Sequence, residues 1–280
     1  VWNDSAANVH KEKWFRPSDV AIGTDGAIYI ADWYDPVVGG HQMQDKKGFG
    51  RIYRITPKNK TLRSPKIDLT TTEGQIAAFR NPAINVRHLG FQQLKQQGEA
   101  VIDPVSRLLK DENPYIRARA IWLLAQLGQK GMEATAALLK SDDEITRATA
   151  FRSLRIVVPD VMPYAVQLQN DPSAFVRREI AVALRDLPFE KTKPVLMELV
   201  KQYDGEDMWY LNALGDAMFG HEAEVYPEIK QLLASDKTPV EWNKKMSMLA
   251  WRLHPAVALD DLLLRANAPV LDAEERRAAV

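Results

Sequence analysis

Arg87, Arg117, Arg147 and Arg177 stand thirty residues apart. Four residues beyond each lie Phe91, Ile121, Phe151 and Ala181, and seven beyond lie Leu94, Leu124, Leu154 and Leu184. Offsets of zero, four and seven stay near one face of a helix, so the two later positions form an apolar stripe meant for a core. A second row, Leu108–Leu109, Leu138–Leu139, Leu168 and Leu199, marks a second helix in each period. Asn113–Pro114 and Asp171–Pro172 punctuate the periods, because a polar N-cap followed by proline starts a helix at little cost. A pair of helices this short buries its apolar face only against its neighbours, and so must stack. The pattern therefore makes residues 84–280 a mainly α array of about six helix pairs. Four are regular between Ile84 and Val200, a fifth is degenerate around Met208–Leu233, and a sixth spans Glu241–Leu264. Asp272–Val280 opens another.

The short period, the proline near the start of the first helix and the arginine at its fixed place resemble HEAT repeats, an α-solenoid. The resemblance implies that each arginine bonds an aspartate or a carbonyl of the preceding unit. Asp111, Asp142 or Asp143, and Asp171 lie near the inter-unit turns as acceptors. The competing reading is a phosphate-binding stripe that grips nucleic acid. Arg119, Arg152, Arg155, Arg178 and Arg185 add local charge, yet they are interleaved with Glu112, Asp142, Glu144, Glu179 and Asp186, as on a solvated face.

Before residue 61 the period is different. Asp19–Ile22 leads into Thr24–Asp25–Gly26, where Asp-Gly supplies the backbone angles of a tight hairpin. Ala27–Asp32 returns as a strand, and Gly50–Ile55 alternates as a third until Pro57 ends it. Three strands with open edges are hardly stable alone, so this meander needs neighbours. The expected division is a partial blade over 1–60, a linker over 61–83 and the helical array over 84–280.

Lysine plus arginine and aspartate plus glutamate both total 37, so zero net charge gives no general pull toward nucleic acid or an anionic membrane. The chain has no cysteine, which removes disulfides, thiolate metal sites and covalent haem attachment. No apolar run is long enough to span a bilayer. The five histidines, His10, His41, His88, His221 and His254, show no zinc-ligand spacing. Both ends read as cut from a longer protein, with no signal peptide at the start and an unfinished helix at the end.

The string PSDVAIGTDGAIYIADW, with GRIYRIT after it, resembles an NHL-type β-propeller blade. More narrowly, WFRPSDVAIGTDGAIYIADWYDP is similar to the closing blade of the glucose/sorbosone dehydrogenase superfamily, in large bacterial membrane-bound-dehydrogenase-like proteins. In that group a propeller is followed by helical repeats and often by a cytochrome c domain. The resemblance implies pyrroloquinoline quinone in the full-length protein and none in this fragment, with Arg16 holding a quinone carboxylate. A guanidinium fork suits that task. No catalytic or metal-binding residue is expected here, since the catalytic histidine of such enzymes belongs to an earlier blade. Asp19 and Asp32 either cap turns or touch a ligand, and Trp14, Phe15, Trp33 and Tyr34 pack between blades or between the last blade and the first helices. His41 is a loop histidine or part of a site at the propeller mouth.

The expected function is thus the protein-interaction arm of a propeller-type sugar or alcohol dehydrogenase, inactive as an isolated chain. Its partner would be a cytochrome c domain or another electron acceptor, with no nucleic acid. Such dehydrogenases are exported, which implies the periplasm or cell surface. The alternative is a stand-alone HEAT-repeat scaffold with no redox role, and behind it a nucleic-acid-binding HEAT protein.

Overall fold

The structure, a computed structural model, describes residues 15–33 and 50–279. The chain gathers into two compact units, divided between Val105 and Ser106.

In the first unit, β1 (Pro17–Ile22), β2 (Ile28–Asp32) and β3 (Arg51–Ile55) form an antiparallel meander in that order. Val20, Ile30 and Tyr53 are aligned across it, as are Ile22, Ile28 and Ile55, so these six share one face. Gly26 takes φ 83°, the positive angle that the Asp25–Gly26 turn requires. Asp25 Oδ1 accepts the Ala27 amide at 2.9 Å and its Oδ2 accepts Arg54 Nη2 at 2.6 Å, tying β3 to the first turn. That arginine holds the Asp25 carboxyl below its ordinary range.

The segment 61–83 is not a plain linker, because it contains α1 (Thr72–Arg80). Thr71 caps it by accepting the Gly74 amide, and α1 packs against α2 (Ile84–Gln97). The arginine period could not reveal α1, which precedes the first arginine. At Gly90 a Cβ would come within 2.5 Å of the Phe79 nitrogen, so glycine lets α2 approach α1. Asn81 Nδ2 donates to the Thr24 carbonyl at 3.2 Å, joining the hairpin turn to the end of α1. The short α3 (Ile102–Arg107) runs through the division between the units.

The second unit is a stack of hairpins. The first helices are α4 (Pro114–Leu124), α6 (Glu144–Val157), α8 (Ala174–Leu184), α10 (Met208–Ala217) and α12 (Lys244–Leu253). The second helices are α5 (Gln129–Ala137), α7 (Met162–Leu168), α9 (Phe189–Lys201), α11 (Glu222–Ala234) and α13 (Leu259–Ala266), with α14 (Ala273–Arg277) after them. Each first helix packs on the next, α4 on α6 and so on to α12, while α7, α9 and α11 form a second layer. With α2 and α3, six helix pairs follow one another in sequence, the arrangement of a HEAT-like α-solenoid.

The stripe read from the sequence is the core. Ile121, Leu124, Phe151, Leu154, Ala181 and Leu184 are all buried, and Leu108, Leu139, Leu168 and Leu199 supply the second layer. Asn113 caps α4 as expected, with Pro114 at the first helical position. Asp171–Pro172 behaves differently: the N-cap of α8 is Ser173, in step with Asn113 and Asp143, so Asp171 stands two residues before the cap, where its Oδ1 accepts the Ser173 amide at 2.8 Å. The fifth pair departs from the period because α9 runs on to Lys201 and a turn with Gly205 at φ 90° precedes α10.

Candidate interaction surface

The repeat arginines reach back over the turn that precedes their own helix. Arg117 Nη1 donates to the carbonyls of Asp111 and Glu112 at 2.8 and 3.0 Å. Arg147 Nη1 donates to those of Ser141 and Asp142 at 2.8 and 2.9 Å, and Arg177 Nη1 to that of Asp171 at 2.6 Å. Within the first unit, Arg87 Nη1 donates to the Pro82 carbonyl at 3.0 Å. A helix leaves its last carbonyls without intrahelical donors, and a guanidinium folded over the following turn supplies them.

Arg147 does more. Its Nε and Nη2 donate to the two oxygens of Asp171 at 2.7 and 2.8 Å, a bidentate fork in which both residues are buried. The carbonyls thus come from the turn before the arginine, whereas the carboxylate comes from the following unit rather than the preceding one. Asp111 and Asp142 contribute carbonyl oxygens. Asp143 instead caps α6, accepting the amide and hydroxyl of Thr146 at 2.9 and 2.6 Å. At the equivalent of Asp171 the neighbouring repeats carry Ser141 and Lys201. Arg177 therefore turns to the Gln202 carbonyl at 3.3 Å and lies 5.5 Å over the Tyr210 ring. Burial pushes the Tyr210 hydroxyl up to about 12.

Four further arginines of the stack are paired with carboxylates. Arg152 forks onto Glu179 at 2.6 and 2.5 Å, Arg155 and Arg185 share Asp186, and Arg252 meets Asp216 at 2.6 Å. On the second layer Lys193 sits between Glu224 and Glu228, which hold its ammonium above the ordinary lysine value. A stripe for nucleic acid needs cations facing outward without such partners.

What faces outward is apolar. Counting two residues on from successive N-caps gives Tyr115, Ile145, Phe175 and Trp209, at the same place on α4, α6, α8 and α10. Tyr115 is 72% exposed, Ile145 53% and Trp209 75%. Phe175 is half-buried between the Arg152 and Arg178 guanidiniums, at 5.5 and 5.0 Å. Glu144 at the head of α6 accepts the Ser173 hydroxyl at the head of α8, so these N-termini lie side by side. Single exposed apolar residues are ordinary, but one per repeat along one edge is a ridge. For Tyr115, Ile145 and Phe175 the spacing was present in the sequence, two residues before Arg117, Arg147 and Arg177, and only the exposure was hidden; Trp209 has Leu211 at that place.

Arg16 is part of the meander's frame. Its amide donates to Asp32 Oδ1 at 2.9 Å, its carbonyl accepts the Trp33 amide at 2.9 Å, and its Nη1 donates to the Phe15 carbonyl at 3.1 Å. Asp19 accepts the Val20 amide. Trp33 is 60% exposed, and Phe15 meets Tyr53 edge-on at 5.6 Å. His88 is exposed, His221 stacks on Phe189 at 3.8 Å, and His254 ends α12. His10, Trp14, Tyr34 and His41 lie outside the described residues. Among the described residues no group of side chains could hold a metal ion, and no helix is long and apolar enough to cross a membrane.

Comparison with known proteins agrees with the helical part. A family model for HEAT repeats matches residues 73–155, and a model for a domain of unknown function (DUF7133) matches residues 9–59. No curated protein matches the chain. Among solved structures, the crystal structure of an engineered protein is 18% identical, covering 64% of this chain and 93% of that one. Its TM-score of 0.35 is too low to bear on fold or function. The helical part is a repeat scaffold of the kind that mediates protein interactions.

Proposed function

We propose that the helix stack is the protein-docking arm of a propeller-type, quinone-dependent sugar or alcohol dehydrogenase. The observation that carries the docking role is the ridge of Tyr115, Ile145, Phe175 and Trp209, one large apolar side chain per repeat beside arginines already paired with carboxylates. Tyrosine and tryptophan are the side chains that most often dominate protein interfaces. The dehydrogenase reading is supported by the blade-like string over residues 14–36 and by the three-stranded meander it forms. On this reading the partner is a cytochrome c domain or another electron-accepting protein, Arg16 faces a carboxylate of pyrroloquinoline quinone, and the protein works in the periplasm or at the cell surface. The isolated chain carries no complete active site.

The test uses the full-length protein supplied with the quinone and a panel of sugars. Tyr115→Ala with Trp209→Ala should leave reduction of a small dye acceptor unchanged and lower reduction of the protein acceptor at least tenfold. Loss of neither would sink the docking role, and no dye reduction by the unaltered protein would sink the dehydrogenase. Tight binding of duplex DNA that strengthens steeply as salt falls would replace both with the nucleic-acid reading.

A further inference from the structure

Arg265, near the end of α13, is only 3% exposed, and among the described residues no carboxylate is ion-paired with it. Its one hydrogen bond among the described residues runs from Nη1 to the Pro239 carbonyl at 2.6 Å. The guanidinium also rests 5.8 Å from the centre of the Trp242 ring. A guanidinium has five N–H donors, so most of this one's donors have no protein acceptor. Burial holds it below the ordinary arginine value, with the charge of Glu275 opposing that only in part. Compare Arg147, equally buried, which has a carboxylate and two carbonyls. An interior charge left in this state is costly, and buried charges in proteins are ordinarily paired.

Arg265 is also among the residues that line a cavity of about 300 Å³ between α12, α13 and α14. Ser247 adds a hydroxyl, and Met248, Leu262, Ala278 and Ala279 supply apolar wall. The acidic residues at its rim are exposed and belong to the cap of α14: Asp272 Oδ1 accepts the amides of Glu274 and Glu275, and Glu275 Oε2 accepts that of Asp272. Lys244, also on the wall, is paired with Glu206 at 2.5 Å. The cavity therefore offers one buried cation without an ion-pair partner among the described residues, a neighbouring hydroxyl and an oily wall, with the exposed carboxylates of Asp272, Glu274 and Glu275 around them.

We propose that this cavity binds a carboxylate carried on a short apolar stem, with Arg265 gripping the carboxylate. The planar fork of arginine donors matches two carboxylate oxygens, which a point cation does not. The ligand is either a small free acid or the C-terminal carboxylate of a peptide ending in an aliphatic residue, and both present the same chemistry. The proposal stands apart from the docking ridge and from any redox role.

The experiment titrates the purified chain with isovalerate, isovaleramide, and acetyl-Ala-Ala-Leu with either a free or an amidated C-terminus, followed by calorimetry and NMR. Isovalerate or the free-acid peptide should bind, and both amides should be at least tenfold weaker. Binding of isovalerate alone assigns a small-acid site, and much tighter binding of the peptide assigns a chain terminus. Arg265→Met should abolish binding while leaving the melting temperature of the unliganded protein unchanged or raised, because it removes an unpaired buried charge. Equal binding of acids and amides, or no binding of either acid, would overturn the proposal. So would a drop in melting temperature on Glu275→Gln matching a drop on Arg265→Met, since Arg265 would then be satisfied by Glu275.

Discussion

The β1–β3 meander and the α6–α8 segment are built from similar apolar residues, and they treat them in opposite ways. In the helices Phe151, Leu154 and Ile180 are fully buried, whereas in the sheet Val20 is 64% exposed and Ile52 74%. Val20 and Ile52 lie on opposite faces of the sheet, so neither face is closed. The difference lies in what each element meets. A helix of the stack presents its stripe to the same stripe one period on, so repetition itself supplies the covering surface. The meander has no such copy among the described residues. A sheet needs a second layer, which the described residues do not give this one. Local sequence makes both elements, but only the repeated one encodes its own partner.

The sharpest break of that contrast is Phe151→Ala. The side chain is entirely buried within the continuous core of the second unit, so the substitution should cost about 3–5 kcal/mol by transfer and cavity terms together. Ile52→Thr, at a comparably apolar position of the sheet, should stay within about 0.5 kcal/mol. Urea unfolding followed by far-ultraviolet circular dichroism measures both. Equal losses would mean that the sheet is covered in solution, and the contrast would fail.

Next in size is Asp171→Ala, which tests whether one repeat is stapled more firmly than its neighbours. Removal of the carboxylate leaves the buried Arg147 with two donors unmet and also frees the Ser173 amide. The cost should be about 3 kcal/mol, since breaking a buried pair from one side strands the other charge. Replacing both residues together, Arg147→Met with Asp171→Leu, should recover much of that loss by melting temperature. A small effect of Asp171→Ala alone would show that the carbonyls of Ser141 and Asp142 satisfy Arg147 without it.

How much of this was legible beforehand follows the same divide. The arginines at 87, 117, 147 and 177 and the residues four and seven beyond them gave the stack, since burial in a repeat follows from phase alone. The turn geometry was only half legible. Arg147 was expected to reach an aspartate, but the sequence could not say that the aspartate would come from the following repeat. Nor could it say that Asp143 would spend itself as a cap. Asp171–Pro172 carried the same signal as Asn113–Pro114 and yet did not cap, because it stands two residues before the N-cap place that Asn113, Asp143 and Ser173 share. The ridge through Tyr115 and Trp209 was missed because periodicity shows which residues repeat, not which of them face water. Arg265 follows no repeat phase, so its isolation emerged only when its neighbours were in place.

The smallest expected effect concerns Asp143, and it separates a local bond from the packing that both larger predictions address. Its carboxylate caps α6 through Thr146, and that hydroxyl and amide hold its pKa below the ordinary aspartate value. At neutral pH, Asp143→Ala should cost about 1 kcal/mol, the usual worth of such a cap. The sign with pH follows from the lowered pKa. The unfolded chain takes up the proton near pH 4 while the folded chain still resists it, so the contribution is complete above about pH 4. As pH falls through the folded value it is lost, and the stabilities of the unaltered protein and Asp143→Ala should draw together. Asp143→Asn keeps an acceptor without a titrating group, and so should retain most of the cap with no such convergence. Urea midpoints at pH 7 and pH 2.5 decide it. A difference that persisted unchanged at the lower pH would mean that the residue acts through packing. In that case caps and core could no longer be treated as separate contributions to the stack.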